Sequence, residues 1–170
     1  MQYGPVVFRP TTEADLGLVL KLENDDENAS FIRQWPIDQH RSALADDNIA
    51  HMIIQKKSNK AVVGYIILIG LKNPNRSINF KRIVIARKGE GFGRASVRLL
   101  KKLAFEKLEA HRLWLDVVEF NERAYKLYES EGFVPEGVHR ESLKQGDRFV
   151  SVNIMSMLAH EYRRQSDAPD

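Results

Sequence analysis

Three glycines at alternate positions, Gly89, Gly91 and Gly93, open the segment RKGEGFGRASVRLLKKLAF at residues 87–105. Glycine loses more backbone freedom on folding than any other residue, so such a cluster suits a chain that must come close to something. The residues that follow have helical spacing. The first amides of a helix have no intrahelical acceptor, and the helix dipole adds partial positive charge at that end. Arg87, Lys88 and Arg94 flank the turn with full charges. The chemistry open to this set is anion binding, and a diphosphate is the natural guest. A tight strand-to-helix turn holding no ligand has the same sequence pattern.

Other phosphate loops do not fit. A P-loop needs Lys-Ser/Thr after its last glycine, and here Gly93 is followed by Arg94-Ala95. The dinucleotide fingerprint needs a third glycine three residues after the second, whereas Gly93 comes two after Gly91. A kinase glycine loop fails too, since neither His-Arg-Asp nor Asp-Phe-Gly follows. His40, His51, His111, His139 and His160 lack metal-ligand spacing and there is no cysteine, so no metal site is expected.

To position the turn, a strand must enter it and a helix must leave it. Residues 78–85 read as that strand, and Val97, Leu100, Leu103, Ala104 and Leu108 form one apolar stripe on the helix. Upstream, residues 6–9 read as a strand. Thr12 with Asp15 reads as a capping box before Leu16, Val19, Leu20 and Glu23 at helical spacing. An acidic stretch at 23–28 precedes a second helical region over 38–47. Residues 52–55 and 61–71 flank a hairpin turn at 57–60. Downstream come a strand at 113–118, a helix over 121–131 with Gly132 as its C-terminal cap, and strands near 133–141 and 148–157. The strand–helix–strand unit over 78–118 predicts one parallel pair among antiparallel neighbours. The fold class is α/β (α+β): a mixed, mostly antiparallel sheet of about seven strands with a central parallel pair and about four flanking helices.

The 170 residues fit a single domain, placed at 6–158, with 159–170 as a polar tail. Net charge is +3, and the basic residues are scattered without an aromatic-plus-basic motif, so no nucleic-acid partner is expected. The longest apolar run, residues 61–71, is too short to span a bilayer, and the N-terminus lacks signal-peptide blocks. These features predict a cytoplasmic protein without a membrane partner.

Lys88-Gly89-Glu90-Gly91-Phe92-Gly93 resembles the Arg/Gln-x-x-Gly-x-Gly/Ala signature of the GNAT superfamily of N-acetyltransferases. Residues 121–133, NERAYKLYESEGF, resemble its Asn-x-x-Ala-x-x-x-Tyr-x-x-x-Gly-Phe segment. Order and separation agree, and the likeness is greatest to the branch holding ribosomal-protein alanine and spermidine acetyltransferases. The resemblance implies an acyl-CoA N-acyltransferase fold, splayed between its fourth and fifth strands, and acetyl-CoA as acetyl donor. The amides of Lys88, Gly89, Glu90, Gly91, Phe92, Gly93 and Arg94 would hold the diphosphate. Ile83, Val84 and Ile85 would pair with the pantetheine arm, Asn121 would bond it from the far side, and Tyr128 would lie near the sulfur. Lys88 departs from the signature, keeping the charge but not the planar fork of arginine.

Acetyl transfer from a thioester to an amine needs a neutral amine, a stabilised oxyanion and a thiolate that can leave. An amine titrating near ~10 is mostly protonated at neutral pH and needs a base or an acidic pocket. Amides near Val84 and Ile85 would polarise the carbonyl. Tyr128 would protonate the sulfur by this reading, or would be a core aromatic by the plainer one. Some superfamily members have a glutamate where this chain has Asn79, which cannot accept a proton. Asp116 and Glu119 stand as candidate bases or as solvated carboxylates, and His111 reads as a helix-end residue. The acidic stretch 23–27 is either a solvated loop or an attractor for a cationic amine such as a polyamine. Trp35 lines the acceptor side or packs on the sheet.

The expected function is N-acetyl transfer from acetyl-CoA by direct attack of a primary amine, from a small molecule or a protein N-terminus. The alternative is a non-catalytic acyl-CoA-binding or sensor domain. A homodimer through a sheet edge is compatible with the sequence.

Overall fold

The computed structural model describes residues 2–166. Its strands are β1 (Gln2–Tyr3), β2 (Val6–Pro10), β3 (Ile49–Lys56), β4 (Val62–Ile69), β5 (Ser77–Ile85), β6 (Arg112–Val118), β7 (Val134–Gln145) and β8 (Arg148–Leu158). They form one sheet in the order β1-β2-β3-β4-β5-β6-β8-β7, one strand more than expected because of the two-residue β1. The pair β5–β6 is parallel and all other neighbours are antiparallel, as the connection through a helix requires.

The helices are α1 (Leu16–Glu23), α2 (Asp26–Ala29), α3 (Ile37–Ala45), α4 (Phe92–Lys102), α5 (Glu122–Ser130) and α6 (Ala159–Ser166). On one face of the sheet, Val19 and Leu22 of α1 and Ala43 of α3 pack with Trp35 on Ile53, Tyr65, Ile67 and Val84. On the other, Val97 and Leu100 of α4 and Tyr128 of α5 join Ile66, Leu68, Phe80 and Leu115. Each fully buried side chain of this kind contributes roughly 1.5–3 kcal/mol.

The capping box forms, with Asp15 accepting from Thr12 N at 2.8 Å and pairing with Arg9 at 2.7 Å. The stripe of α4 ends earlier than its spacing predicts. Residues Leu103–Lys107 form a π-helical turn closed by Leu108 N donating to Leu103 O at 3.0 Å, and Leu108 is left exposed. One extra residue in the turn rotates the stripe away from the sheet. The segment expected to be a polar tail is helical through α6. Tyr162 stacks on Phe105 at 4.9 Å and Lys101 Nζ donates to Gln165 Oε1 at 3.4 Å. Residues 167–170 of that tail lie outside the described residues.

Two irregularities of β5 shape what lies beside it. A Cβ at Gly64 would stand 2.1 Å from Val84 O, so only glycine lets β4 close against the end of β5. At Lys81 the ladder slips: Ile67 pairs with Arg82 while Leu68 pairs with Phe80. This bulge reverses the alternation. Phe80 faces the α4–α5 core, and Arg82 and Val84 turn to the α1–α3 face.

Candidate active site between β5 and β6

The parallel strands stay paired for three rungs, Ser77–Arg112, Ile78–Leu113 and Asn79–Trp114. Beyond them β5 and β6 diverge, and the β5 edge facing β6 has no strand against it. The gap is a cleft of about 1350 Å³, walled by β5, the glycine turn, β6, α5 and the segment from α2 to Trp35. It lies at the expected splay, the fourth and fifth strands of the sequence reading being β5 and β6 here.

In the glycine turn, Gly89 and Gly91 have φ of +89° and +80°, left-handed conformations that other residues resist. Gly91 caps α4, and the first helical bond runs from Ala95 N to Gly91 O at 3.1 Å. None of the backbone N–H groups of residues 88–94 donates to another described residue. A run of open amides at a helix start is a seat for a diphosphate. The residues present therefore fit the phosphates of acetyl-CoA, and the open β5 edge fits its amide-bearing arm. Ile83, Val84, Ile85, Lys88, Gly89, Gly91, Phe92, Gly93, Arg94, Asn121 and Tyr128 all line the cleft. Glu90 does not, and its carboxylate turns to Lys56 at 3.6 Å.

The flanking charges differ from expectation. Lys88 Nζ crosses the cleft to Asn28 Oδ1 (2.7 Å) and Glu27 Oε2 (3.1 Å). Arg94 donates to Ser130 Oγ at 3.1 Å and pairs with buried Glu131, which Arg98 and Lys101 also reach at 3.0 and 3.3 Å. Both side chains thus serve the walls: Lys88 ties α2 to the turn, and Arg94 ties α4 to α5. Arg87 and Arg123 line the cleft without an ion pair to any described residue.

Asn121 caps α5, its Oδ1 accepting from Ala124 N at 3.2 Å, with its NH2 group uncommitted among the described residues. Gly132 ends the helix at φ +90°, and Phe133 N returns to Tyr128 O at 3.0 Å. Between these stops Tyr128 points into the cleft, edge-on to Phe80 at 5.7 Å and Phe133 at 5.9 Å. Its hydroxyl bonds to no described residue. Burial first, and the charge of Asp116 second, push the phenol above its ordinary value. Asp116 on β6 is half-buried in the cleft wall, and its carboxylate has no hydrogen bond or ion pair among the described residues. Glu119 lies outside that wall and accepts from Ser151 N at 3.1 Å. Asn79 spans the last paired rung, donating to Trp114 O at 3.4 Å.

The acidic stretch is not one solvated loop. Glu23 is fully buried, accepting from Trp35 N at 2.9 Å and from the Tyr65 hydroxyl and Arg82 Nη1. His40 Nε2 stands 3.3 Å from Glu23 Oε1, His40 Nδ1 and His51 Nε2 share a bond at 3.0 Å, and His51 Nδ1 meets Thr11 Oγ1 at 2.9 Å. Burial alone would raise the Glu23 carboxyl, but His40, Arg82, Tyr65 and the Trp35 amide outweigh it and hold the group below the usual carboxylate range. Trp35 does both things its sequence allowed: it packs on the sheet and lines the cleft under the Arg82 guanidinium, 4.8 Å from its ring. Sequence reasoning missed this network. Its signals were a glutamate in phase with the apolar side of α1 and an arginine inside a buried strand.

Among the described residues no cluster of three or more His, Asp or Glu side chains could hold a metal ion. No helix among them is long and apolar enough to cross a membrane.

The profile of the acetyltransferase (GNAT) domain matches residues 6–134. The chain is 25% identical to a spermidine N(1)-acetyltransferase of Vibrio cholerae over 95% of its own length and 98% of that protein's. It is 27% identical to the probable N-acetyltransferase YjcK of Bacillus subtilis, covering 93% of this chain and 97% of that one. The solved structure of the Vibrio cholerae spermidine N-acetyltransferase in complex with CoA and spermine superposes with a TM-score of 0.83 at 26% identity, covering 94% of this chain and 98% of that one. The chain therefore belongs to the GNAT acetyltransferase family, enzymes that take their acetyl group from acetyl-CoA.

Proposed function

We propose that the protein transfers acetyl from acetyl-CoA to a primary amine by direct attack within the β5–β6 cleft. The observation that carries this is the set of open amides at residues 88–94, at one end of a cleft that also holds an unbonded tyrosine hydroxyl. Acetyl-CoA supplies the activated acetyl group. The amides of residues 88–94 hold its phosphates, and the free edge of β5 at Ile83, Val84 and Ile85 holds its arm, with Asn121 donating from the opposite wall.

Asp116 is the proton acceptor in this reading, since it lines the cleft and its carboxylate is bonded to no described residue. Tyr128 Oη keeps its proton at neutral pH and passes it to the departing sulfur. The two groups are coupled. When Asp116 takes a proton its charge disappears, and with it one of the two influences that make Tyr128 a weaker acid. Asn79 leaves the glutamate position of some relatives without a base, which gives Asp116 the role. The relatives named for spermidine make polyamines one class of acceptor to assay, beside monoamines and amino acids.

The test is thiol release from acetyl-CoA across an amine panel, with the Tyr128→Phe variant alongside. Turnover with at least one amine is expected, and Tyr128→Phe should lower kcat about 100-fold while CoA affinity stays within about twofold. Unchanged turnover in Tyr128→Phe removes the tyrosine from the mechanism. CoA binding with no amine acetylated would sink the catalytic reading.

A further inference from the structure

Resting on the acetyltransferase reading, the charges at the apex of the splay identify the class of acceptor. The last paired rung joins Asn79 to Trp114. Two residues further along each strand, where pairing has ended, are Lys81 and Asp116, and both line the cleft. Neither forms an ion pair with any described residue. Arg33 joins them. Its carbonyl accepts from Arg82 Nη2 at 2.5 Å, which ties it to the residue after Lys81, and its side chain lines the cleft without a partner among the described residues. The other carboxylate in the wall, Glu27, is held by Lys88 at 3.1 Å, and the positive charge of Arg82 is met by Glu23. Asp116 is the one open carboxylate left in the wall among the described residues. The open cations are Lys81 on β5, Arg33 between α2 and α3, Arg87 at the glycine turn and Arg123 on α5, and the last two belong to the walls that would face CoA.

A polyamine would set one ammonium against Asp116 and bring the others towards Lys81 and Arg33, like charge to like. A zwitterion would bridge the opening. We infer that the acceptor is a primary amine carrying its own carboxylate or phosphate, with the amine at Asp116 and the anionic group at Lys81 and Arg33. Lysine and arginine both donate charge-assisted hydrogen bonds to either anion. The nitrogen forms its bond to the acetyl carbon as the carbon–sulfur bond breaks. Of the two protons the ammonium loses, one balances the proton Tyr128 gives to sulfur, and the other leaves to solvent through Asp116.

A matched series of short amines tests this: γ-aminobutyrate, aminopropyl phosphate, butylamine, putrescine and spermidine. Each is assayed for kcat/KM, and for binding to the CoA-saturated protein by calorimetry, so the ranking does not depend on turnover. The two anionic amines should exceed butylamine by about tenfold or more, with putrescine and spermidine lowest. γ-Aminobutyrate and aminopropyl phosphate compared with each other separate a carboxylate site from a phosphate site. Lys81→Glu should reverse the order of γ-aminobutyrate and putrescine. Spermidine or putrescine ranking first in the wild type, or a ranking that Lys81→Glu leaves unmoved, overturns the inference and leaves acetyl transfer standing. CoA that gives no heat of binding overturns both readings together.

Discussion

The two ends of the cleft are built in opposite ways. The glycine turn presents backbone donors from one short run of sequence, and the fold leaves them unbonded. The wall around Trp35 is held from behind by side chains from α1, α3, β3, β4 and β5, and there nearly every buried polar atom has a partner. Bare amides at a helix start cost little in water and are ready for an anion. A buried glutamate and arginine are tolerable only if each answers the other. The first end is specified by what it leaves open, and the second by what it closes.

The most disruptive way to break that contrast is Glu23→Ala. It strands the Arg82 guanidinium under Trp35 and should cost about 3–5 kcal/mol in urea unfolding. The double substitution Glu23→Leu with Arg82→Met should recover most of the loss. A single-variant loss below ~1 kcal/mol would mean that the pair does not hold the wall.

Acid probes the same network more gently. Burial first, then the neighbouring His40, pull His51 down from 6.5 to about 4. The unfolded chain therefore binds a proton in a pH range where folded His51 refuses it. His51 contributes its full stability above pH 6.5 and loses it as the pH falls towards 4, by at most ~3 kcal/mol. His51→Gln should flatten that slope in urea melts taken across the window, and an unchanged slope would place its source elsewhere.

The smallest effect distinguishes a ligand seat from a simple turn. A Cβ at Gly93 would meet Leu127 Cδ2 at 3.7 Å and Ile85 Cγ1 at 3.9 Å, ordinary contacts that the fold accepts. Gly93→Ala should therefore leave stability level or raise it by up to ~1 kcal/mol. It should weaken CoA about tenfold, or ~1.4 kcal/mol, by narrowing the approach to the amides. Retained affinity would make that glycine a matter of folding alone.

Legibility followed the range of the interactions. The turn and the Gly132 stop could be read directly, because each depends on residues within a few positions of one another. Tyr128 could be singled out by its motif, but whether its hydroxyl was free or bonded could not. The acidic stretch was read as one unit, yet Glu23 is interior, Asp25 caps α2 by accepting from Glu27 N at 3.0 Å, and Glu27 holds Lys88. Its partners Tyr65, Arg82 and Lys88 lie about 40–60 residues away, beyond any local pattern.

The sequence by itself determined the strand–turn–helix that offers amides to a diphosphate, because backbone geometry around Gly89, Gly91 and Gly93 is a local matter of allowed dihedral angles. It also determined the continuous apolar run at residues 61–71, which suits a strand covered on both faces. Tertiary structure alone decided that a bulge at Lys81 would turn Arg82 onto Glu23, and that Lys81 and Asp116 would line one opening. Strand register and splay are set by packing between distant segments, and a one-residue slip exchanges the faces of everything that follows.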